Sequence, residues 1–436
     1  MSRKLLATLI AFGFSGVAIS PPWVSAAEQG TQQSVYYFVS LGTPFGGTSS
    51  IAASINDRGW AAGGAVTAAG NEHATLWVGA PLDLGTLSGP NSNIAWPNPN
   101  KHGELAGIAE IAKADPLNEN WSCSAFFPAI THNVCLGFTW QWGVMTALPT
   151  LGGTNGYAAS LNNWGEVVGW TETSKHDPTC VAPQVLQFEA VIWGPAPSEI
   201  RQLAPYSGDP DSAATAINDR HQVVGISGTC DNAVGEFTAK HALLWENGQP
   251  INLGSFGGVA WNTPTALNNQ GTVVGFADLP GDESGAPNPV GFIWTRAHGI
   301  QKLAPYPGDV NSFAWGINEH GQAVGQSIDA AGNSRAVIWQ NGVVLDLNAL
   351  IQVDSPVYLT LANDINDRGE ISGQGCIVES GACGSVAPAV LLIPTQGNGE
   401  IIPEAAESTS RTIVLSDELR REALKRLGVD HLRGSR

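Results

Sequence analysis

Short apolar segments separated by Gly-, Pro- and Asn-rich turns recur along almost the whole chain. The clearest is Leu161-Asn162-Asn163-Trp164-Gly165-Glu166-Val167-Val168-Gly169, where an Asn is followed by a Gly three residues on and a second Gly four further. The same spacing runs from Asn56 to Gly63, Asn268 to Gly275, Asn318 to Gly325 and Asn366 to Gly373, each with an aliphatic residue before the Asn. A further copy, Asn218 to Gly225, has His221 where the first Gly belongs, and another, Asn100 to Gly107, has Pro99 where the aliphatic belongs. That makes seven.

Each copy predicts a tight turn between an Ala-rich strand and a Val-Val-Gly strand, with Asn and Gly expected at the positive-φ positions. After a loop of variable length comes an apolar run ending in Trp: Trp77, Trp140, Trp193, Trp245, Trp294 and Trp339, with Ala389 to Leu392 as a seventh run without it. A second tight turn, such as Asn247-Gly248 or Asn341-Gly342, leads to another strand-like piece, such as Ile251 to Phe256. Two of those pieces are close copies, Arg201 to Tyr206 and Gln301 to Tyr306, each followed by Gly-Asp.

Four antiparallel strands per repeat, with Asn-to-Asn spacings of 44, 62, 56, 50, 50 and 48, predict an all-β fold, a seven-bladed β-propeller of four-stranded blades. A sandwich or open solenoid is the alternative. The Ala-Asn strand is expected innermost, because small residues suit a crowded axis. The first repeat piece, Tyr36 to Gly42, is a fourth-strand type, and the last repeat stops at its third strand. The N-terminal strand should therefore complete the last blade and close the ring.

Here the residues carry a resemblance. Leu151-Gly152-Gly153-Thr154-Asn155, the segment Ser160 to Gly169 and His241 to Gly248 resemble HAF-type bacterial extracellular repeats, over roughly residues 35 to 394. The second copy departs at Pro97-Asn98-Pro99, and so does the seventh. The resemblance implies an exported bacterial repeat protein and brings no catalytic residues with it.

The ends agree with export. Arg3 and Lys4, the apolar stretch Leu5 to Ile19 and Val24-Ser25-Ala26 read as a signal peptide over residues 1–26, too short in its apolar part for a membrane span. Residues 395–436 read as a polar linker and a short amphipathic helix from Ser416 to Leu427, serving either as a membrane or partner helix or as a tail packed on the propeller or left mobile. The six cysteines form an even set without metal spacing, so disulfides are expected: Cys123 with Cys135, Cys376 with Cys383, and Cys180 with Cys230 across neighbouring repeats.

Charge narrows the partners. The chain carries a net charge of −18, and loss of Arg3 and Lys4 with the leader would deepen it by two. Such a surface disfavours nucleic acid and suits a neutral or cationic ligand.

The variable loops, including Ile108 to Asn133, Thr171 to Phe188 and Asp278 to Pro289, fall on one face, the expected binding surface. Its candidate residues are the rings Tyr157, Tyr206, Trp261, Tyr306 and Trp315, with Trp121, Phe126 and Phe127 in the largest insertion, and the acids Asp209, Asp211 and Asp309. Asp231, Asp282 and Glu283 lie on the same face. Rings could stack on sugars, and convergent acids could act on a glycoside or hold Ca²⁺, although no Asp-x-Asp-x-Asp-Gly loop is present. The bland readings are rings that cap the core and solvated turn acids. His73, His221, His241 and His320 are scattered, and no His-Glu-x-x-His, Gly-x-Ser-x-Gly or Gly-Lys-Ser/Thr occurs in the mature chain.

These features lead to an exported, monomeric binding module for carbohydrate or protein, with no cofactor beyond Ca²⁺ as an option. A glycan hydrolase or lyase and a structural cell-surface protein are the alternatives.

Overall fold

The computed structural model describes residues 35–395 and 413–426, apart from 99, 120, 197, 231–238, 259–260, 282–287 and 352–354. The expected leader, most of the linker and the loop acids Asp231, Asp282 and Glu283 lie outside the described residues.

Seven antiparallel sheets follow one another along the chain as blades 1 to 7. Blade 3 is representative, with strands Gly152–Leu161, Val167–His176, Leu186–Trp193 and Ile200–Gln202. The first strands of blades 3, 4, 5, 6, 7 and 1 contact one another in turn, so they line the axis. Blade 7 takes Val357–Ile365, Ile371–Glu379 and Ala389–Pro394 from the end of the chain and Tyr36–Gly42 from its start. Tyr37 opposite Ile393 and Val39 opposite Leu391 set the register of that closure. The ring therefore presents no unpaired edge between its first and last blades.

The recurring motif is explained atom by atom. Its first Gly sits at positive φ, from 74° at Gly369 to 81° at Gly103, and His221 holds 60° in the same place. No motif Asn shares that conformation, which corrects the expectation that Asn supplies a positive-φ position. The Asn instead works through its side chain. Asn268 Oδ1 accepts from the backbone N–H of Gln270 (3.1 Å) and Thr272 (3.0 Å), and the other six copies repeat this. The second Gly faces a β-bulge on the first strand, between Ala158 and Ser160 in blade 3. A Cβ at Gly169 would lie 1.9 Å from the Tyr157 carbonyl oxygen, and Gly63, Gly225, Gly325 and Gly373 meet the same obstacle.

Blade 2 tests the rule. Its first strand is only Ser92–Asn93, and Pro97, just before Asn98, has no N–H to extend the ladder. Asn98 takes over with its side chain, Oδ1 accepting from Ala106 N–H at 2.8 Å.

The third-strand tryptophans are buried between blades. The indole N–H groups of Trp193, Trp245 and Trp339 donate to carbonyls of the preceding crossovers, at Pro149, Ala204 and Ala304. The three expected disulfides are all formed. Beyond the ring, Ser416 caps the helix Asp417–Arg426, and Leu415 and Leu419 pack against Tyr358, Cys376 and Cys383. The tail is thus docked on the propeller, and no helix among the described residues is long and apolar enough to cross a membrane.

Candidate functional site

The axial channel has two unlike ends. At the end carrying the Asn-Gly turns, each motif Asn reaches across to the next blade. Asn56 Nδ2 donates to the Asn100 carbonyl, Asn100 to Asn162, Asn162 to Asn218, Asn218 to Asn268, Asn268 to Asn318, Asn318 to Asn366, and Asn366 back to Asn56. All seven bonds are 2.9–3.2 Å long, and the circle is complete.

The residue after each Asn forms a second circle. Backbone N–H groups at Lys101, Asn163, Asp219, Asn269, Glu319 and Asp367 each donate to the side chain one blade on. Lys101 offers no acceptor to Asp57, and an ion pair of 3.0 Å between them fills that step. The next residues outward, Arg58, His102, Trp164, Arg220, Gln270, His320 and Arg368, are exposed. This mouth leads into a cavity of about 80 Å³ for water-sized contents, deep enough to reach Asp364. It has room for a few waters and no room for a sugar ring.

Asp364 occupies a place where other blades have Ser54, Ser160, Ala216, Ala266 or Gly316. It is fully buried, and burial pushes its carboxyl up to about 7 against the bonds it accepts from the N–H groups of Ile55 and Ile365. The Ile55 bond crosses the seam between blades 7 and 1. A raised folded-state value means stability that is full below the ordinary pKa of about 4 and is lost as pH rises through about 7. Asp364→Asn should therefore flatten the pH profile of thermal unfolding between pH 4 and 8, by on the order of 4 kcal/mol. An unaltered profile would refute that role.

The opposite end, bearing the insertions, is closed by aromatic rings. Trp96 of blade 2 meets Trp315 of blade 6, which is not its neighbour, with ring centroids 5.7 Å apart. Their contact therefore spans the axis. Phe276, Phe313 and Trp261 join edge to face, and Phe126 stacks on Tyr157 at 4.7 Å.

The structure places the sequence candidates as follows. Tyr157 and Trp261 are each 2% exposed, and Trp315 is half-buried among them, so these rings form the plug instead of an open stacking platform. Packing drives this, because rings in or beside the first strands of several blades converge on the axis. Tyr206 and Asp209 enclose His241, with the rings 4.5 Å apart and Asp209 Oδ2 2.7 Å from His241 Nδ1. Tyr306 and Asp309 enclose Arg335 in the same way, the guanidinium 4.9 Å from the ring centroid and bonded to both Asp309 oxygens. One clamp, a Tyr ring and an Asp carboxylate around a His or Arg side chain, thus appears twice, and it fastens each crossover to a third strand. Trp121 begins the short helix Trp121–Phe126, and Phe127 is buried beneath it.

Asp211 is 1% exposed and meets Asp177, so these acids are buried and not solvated turn residues. Burial first, then Asp177, lifts Asp211 to about 9. A second buried group lies between blades 2 and 3: burial, with Glu172 and Asp115 adding, raises Glu119 to about 7. The sequence pointed to neither Glu119 nor Asp177, since insertions have no equivalents in other repeats. Asp364 did leave a signal, an acid where every other copy is small or Asn. The only three-residue set of close metal-type side chains among the described residues is Glu110 with Cys123 and Cys135, and those cysteines are bonded to each other.

The fold these strands define is a seven-bladed β-propeller. No protein-family model and no curated protein matches the sequence. Among solved structures, an acylaminoacyl peptidase of Pyrococcus horikoshii aligns at TM-score 0.45 and 11% identity, over 78% of this chain and 51% of that one. This chain thus spans about half its length. AofleA from Arthrobotrys oligospora, as a triple arginine-to-alanine mutant, aligns at 0.37 and 12%, covering 72% and 88%. The gluconolactonase XC5397 from Xanthomonas campestris gives 0.31 and 10%, covering 59% and 78%. Likeness at this level assigns no function.

Proposed function

We propose that this chain is an exported bacterial propeller that binds a carbohydrate or protein ligand, as a monomer, on the face bearing its insertions. One observation carries the reading: all three disulfides lie at that face. Cys123–Cys135 ties down the insertion of blade 2, Cys180–Cys230 joins those of blades 3 and 4, and Cys376–Cys383 braces that of blade 7. Cross-links that tie insertions to strands and to one another hold a surface in one shape, and preorganised loops lower the entropic cost of recognition. The resemblance to HAF-type repeats and the leader-like first 26 residues support export.

A glycan hydrolase or lyase is the second reading, favoured by Asp364 at the floor of the open mouth. Both of its oxygens already accept hydrogen bonds, however, and the cavity above it excludes a sugar ring.

Screening the purified chain from residue 27 onward against immobilised glycans, scoring retention and product release together, separates the readings. Retention without release is expected. Release would establish the enzyme, and neither signal would leave protein as the ligand class.

A further inference from the structure

Residues 177–185, the insertion of blade 3, are held from both ends by acids that face other acids. At one end Asp177 Oδ1 accepts from the N–H and hydroxyl of Thr179, both at 2.7 Å, and Asp211 Oδ1 accepts from Phe188 N–H at 2.9 Å. Their remaining Oδ2 atoms are buried and receive no hydrogen from any other group, and the two side chains lie within hydrogen-bonding reach of each other. Two carboxylates cannot rest in such contact unless one keeps a proton. At the other end Glu119 Oε1 accepts from the N–H groups of Val185 (2.8 Å) and Leu186 (2.6 Å). Its Oε2 is buried without a donor, beside Glu172 and Asp115. Gln184 bridges the segment to Glu172 at 3.1 Å.

No cation balances either acid among the described residues. Asp211 faces Asp177 and Glu189, and Glu189 is answered by Lys175. Asp209 nearby is already bonded to His241 and Ser227. Glu119 faces Glu172 and Asp115.

We infer that residues 177–185 are a proton-latched flap on the insertion face, seated on blades 2 and 4 while Glu119 and Asp211 keep their protons and unseated when these ionise. The Cys180–Cys230 bond and the hydrogen bond from Cys230 N–H to Thr179 Oγ1 tether the flap, so the seating is lost and the segment stays attached. The order follows from the environments: Glu119 lets go near neutrality, at about 7, and Asp211 last, at about 9. Both values are raised, so the latch is complete below about 4 and is progressively lost up to about 9.

The test is hydrogen exchange of the peptide spanning 177–188, with EDTA present and rates corrected for intrinsic pH dependence. Wild type, Asp211→Asn, Glu119→Gln and the double variant are compared at pH 6 and pH 10. An amide keeps one acceptor oxygen and adds the N–H that the missing proton would supply, so each substitution imitates the latched form. Wild type is expected to lose protection roughly tenfold or more at pH 10, a unit above the last titration, and the double variant to keep it. Equal protection of wild type at both pH values would overturn the latch, whatever the variants do. So would equal loss in wild type and double variant. Recovery at pH 10 on adding calcium, absent from Asp211→Asn, would make the pair a cation site instead.

Discussion

Gly169→Ala is expected to cost at least about 3 kcal/mol or to prevent folding, although it adds one methyl group to a β-strand. The new Cβ would stand 1.9 Å from the Tyr157 carbonyl oxygen and 3.0 Å from Ala158 Cα, both backbone atoms of the innermost strand. Nothing there is a flexible side chain that could turn aside. Overpacking in a relaxed core costs about 1–3 kcal/mol, and a rigid backbone obstacle belongs above that range. Gly143→Ala is the comparison. It lies in a turn at φ 85° with nothing within 4 Å, so it should cost only the left-handed penalty of about 1–2 kcal/mol. Urea midpoints followed by Trp fluorescence separate the two, and equal midpoints would refute the role of packing.

A comparable loss is expected at Asn268→Ala. It removes the acceptor used by two backbone N–H groups and the donor given to the Asn318 carbonyl, in a place with 5% exposure. Each buried polar group left unpaired costs about 1–3 kcal/mol, and the two N–H groups are only half-buried, so a total of about 3–5 kcal/mol, the lower part of the range, is expected from the three. Gln270→Ala, two residues on at the exposed rim, should stay within about 0.5 kcal/mol. Both are read from the same urea midpoints, and similar shifts for the pair would remove the distinction between ring and rim.

The contrast between these two residues shows what could be read in the sequence. Blade count, strand order, closure by Tyr36–Gly42 and the disulfide pairs all follow from local spacing and turn chemistry, because propeller blades are built from short-range hairpins. The Asn circle does not. An Asn before x-x-Gly signals a turn, and its donor to the next blade exists only once seven distant copies surround one axis. The same gap explains the aromatic candidates. Tyr157, Trp261 and Trp315 sit in or beside crossovers, which suggests exposure, yet the axis draws them into one plug. Asp209 and Asp309 looked like free turn acids until His241 and Arg335 were brought beside them by the third strands. Among the described residues, Trp142 at 83% and Trp164 at 61% stand in solvent in turns at the end without the long insertions, and Tyr37 at 56% stands in solvent on the outer strand of blade 7.

Above all, the recurring Asn closes the ring through its side-chain N–H, beyond serving its own turn. Thermal unfolding of Asn268→Asp against wild type across pH 4–7 puts that role to the proof. The substitution keeps the acceptor for Gln270 and Thr272 and sets a carboxylate oxygen against the Asn318 carbonyl, a contact that only the protonated form can satisfy. That raises the introduced carboxyl's pKa, so stability is retained near pH 4 and lost as pH rises. The midpoint deficit should therefore be small at pH 4 and largest at pH 7. A deficit that does not change with pH, or none at all, would contradict the closed circle.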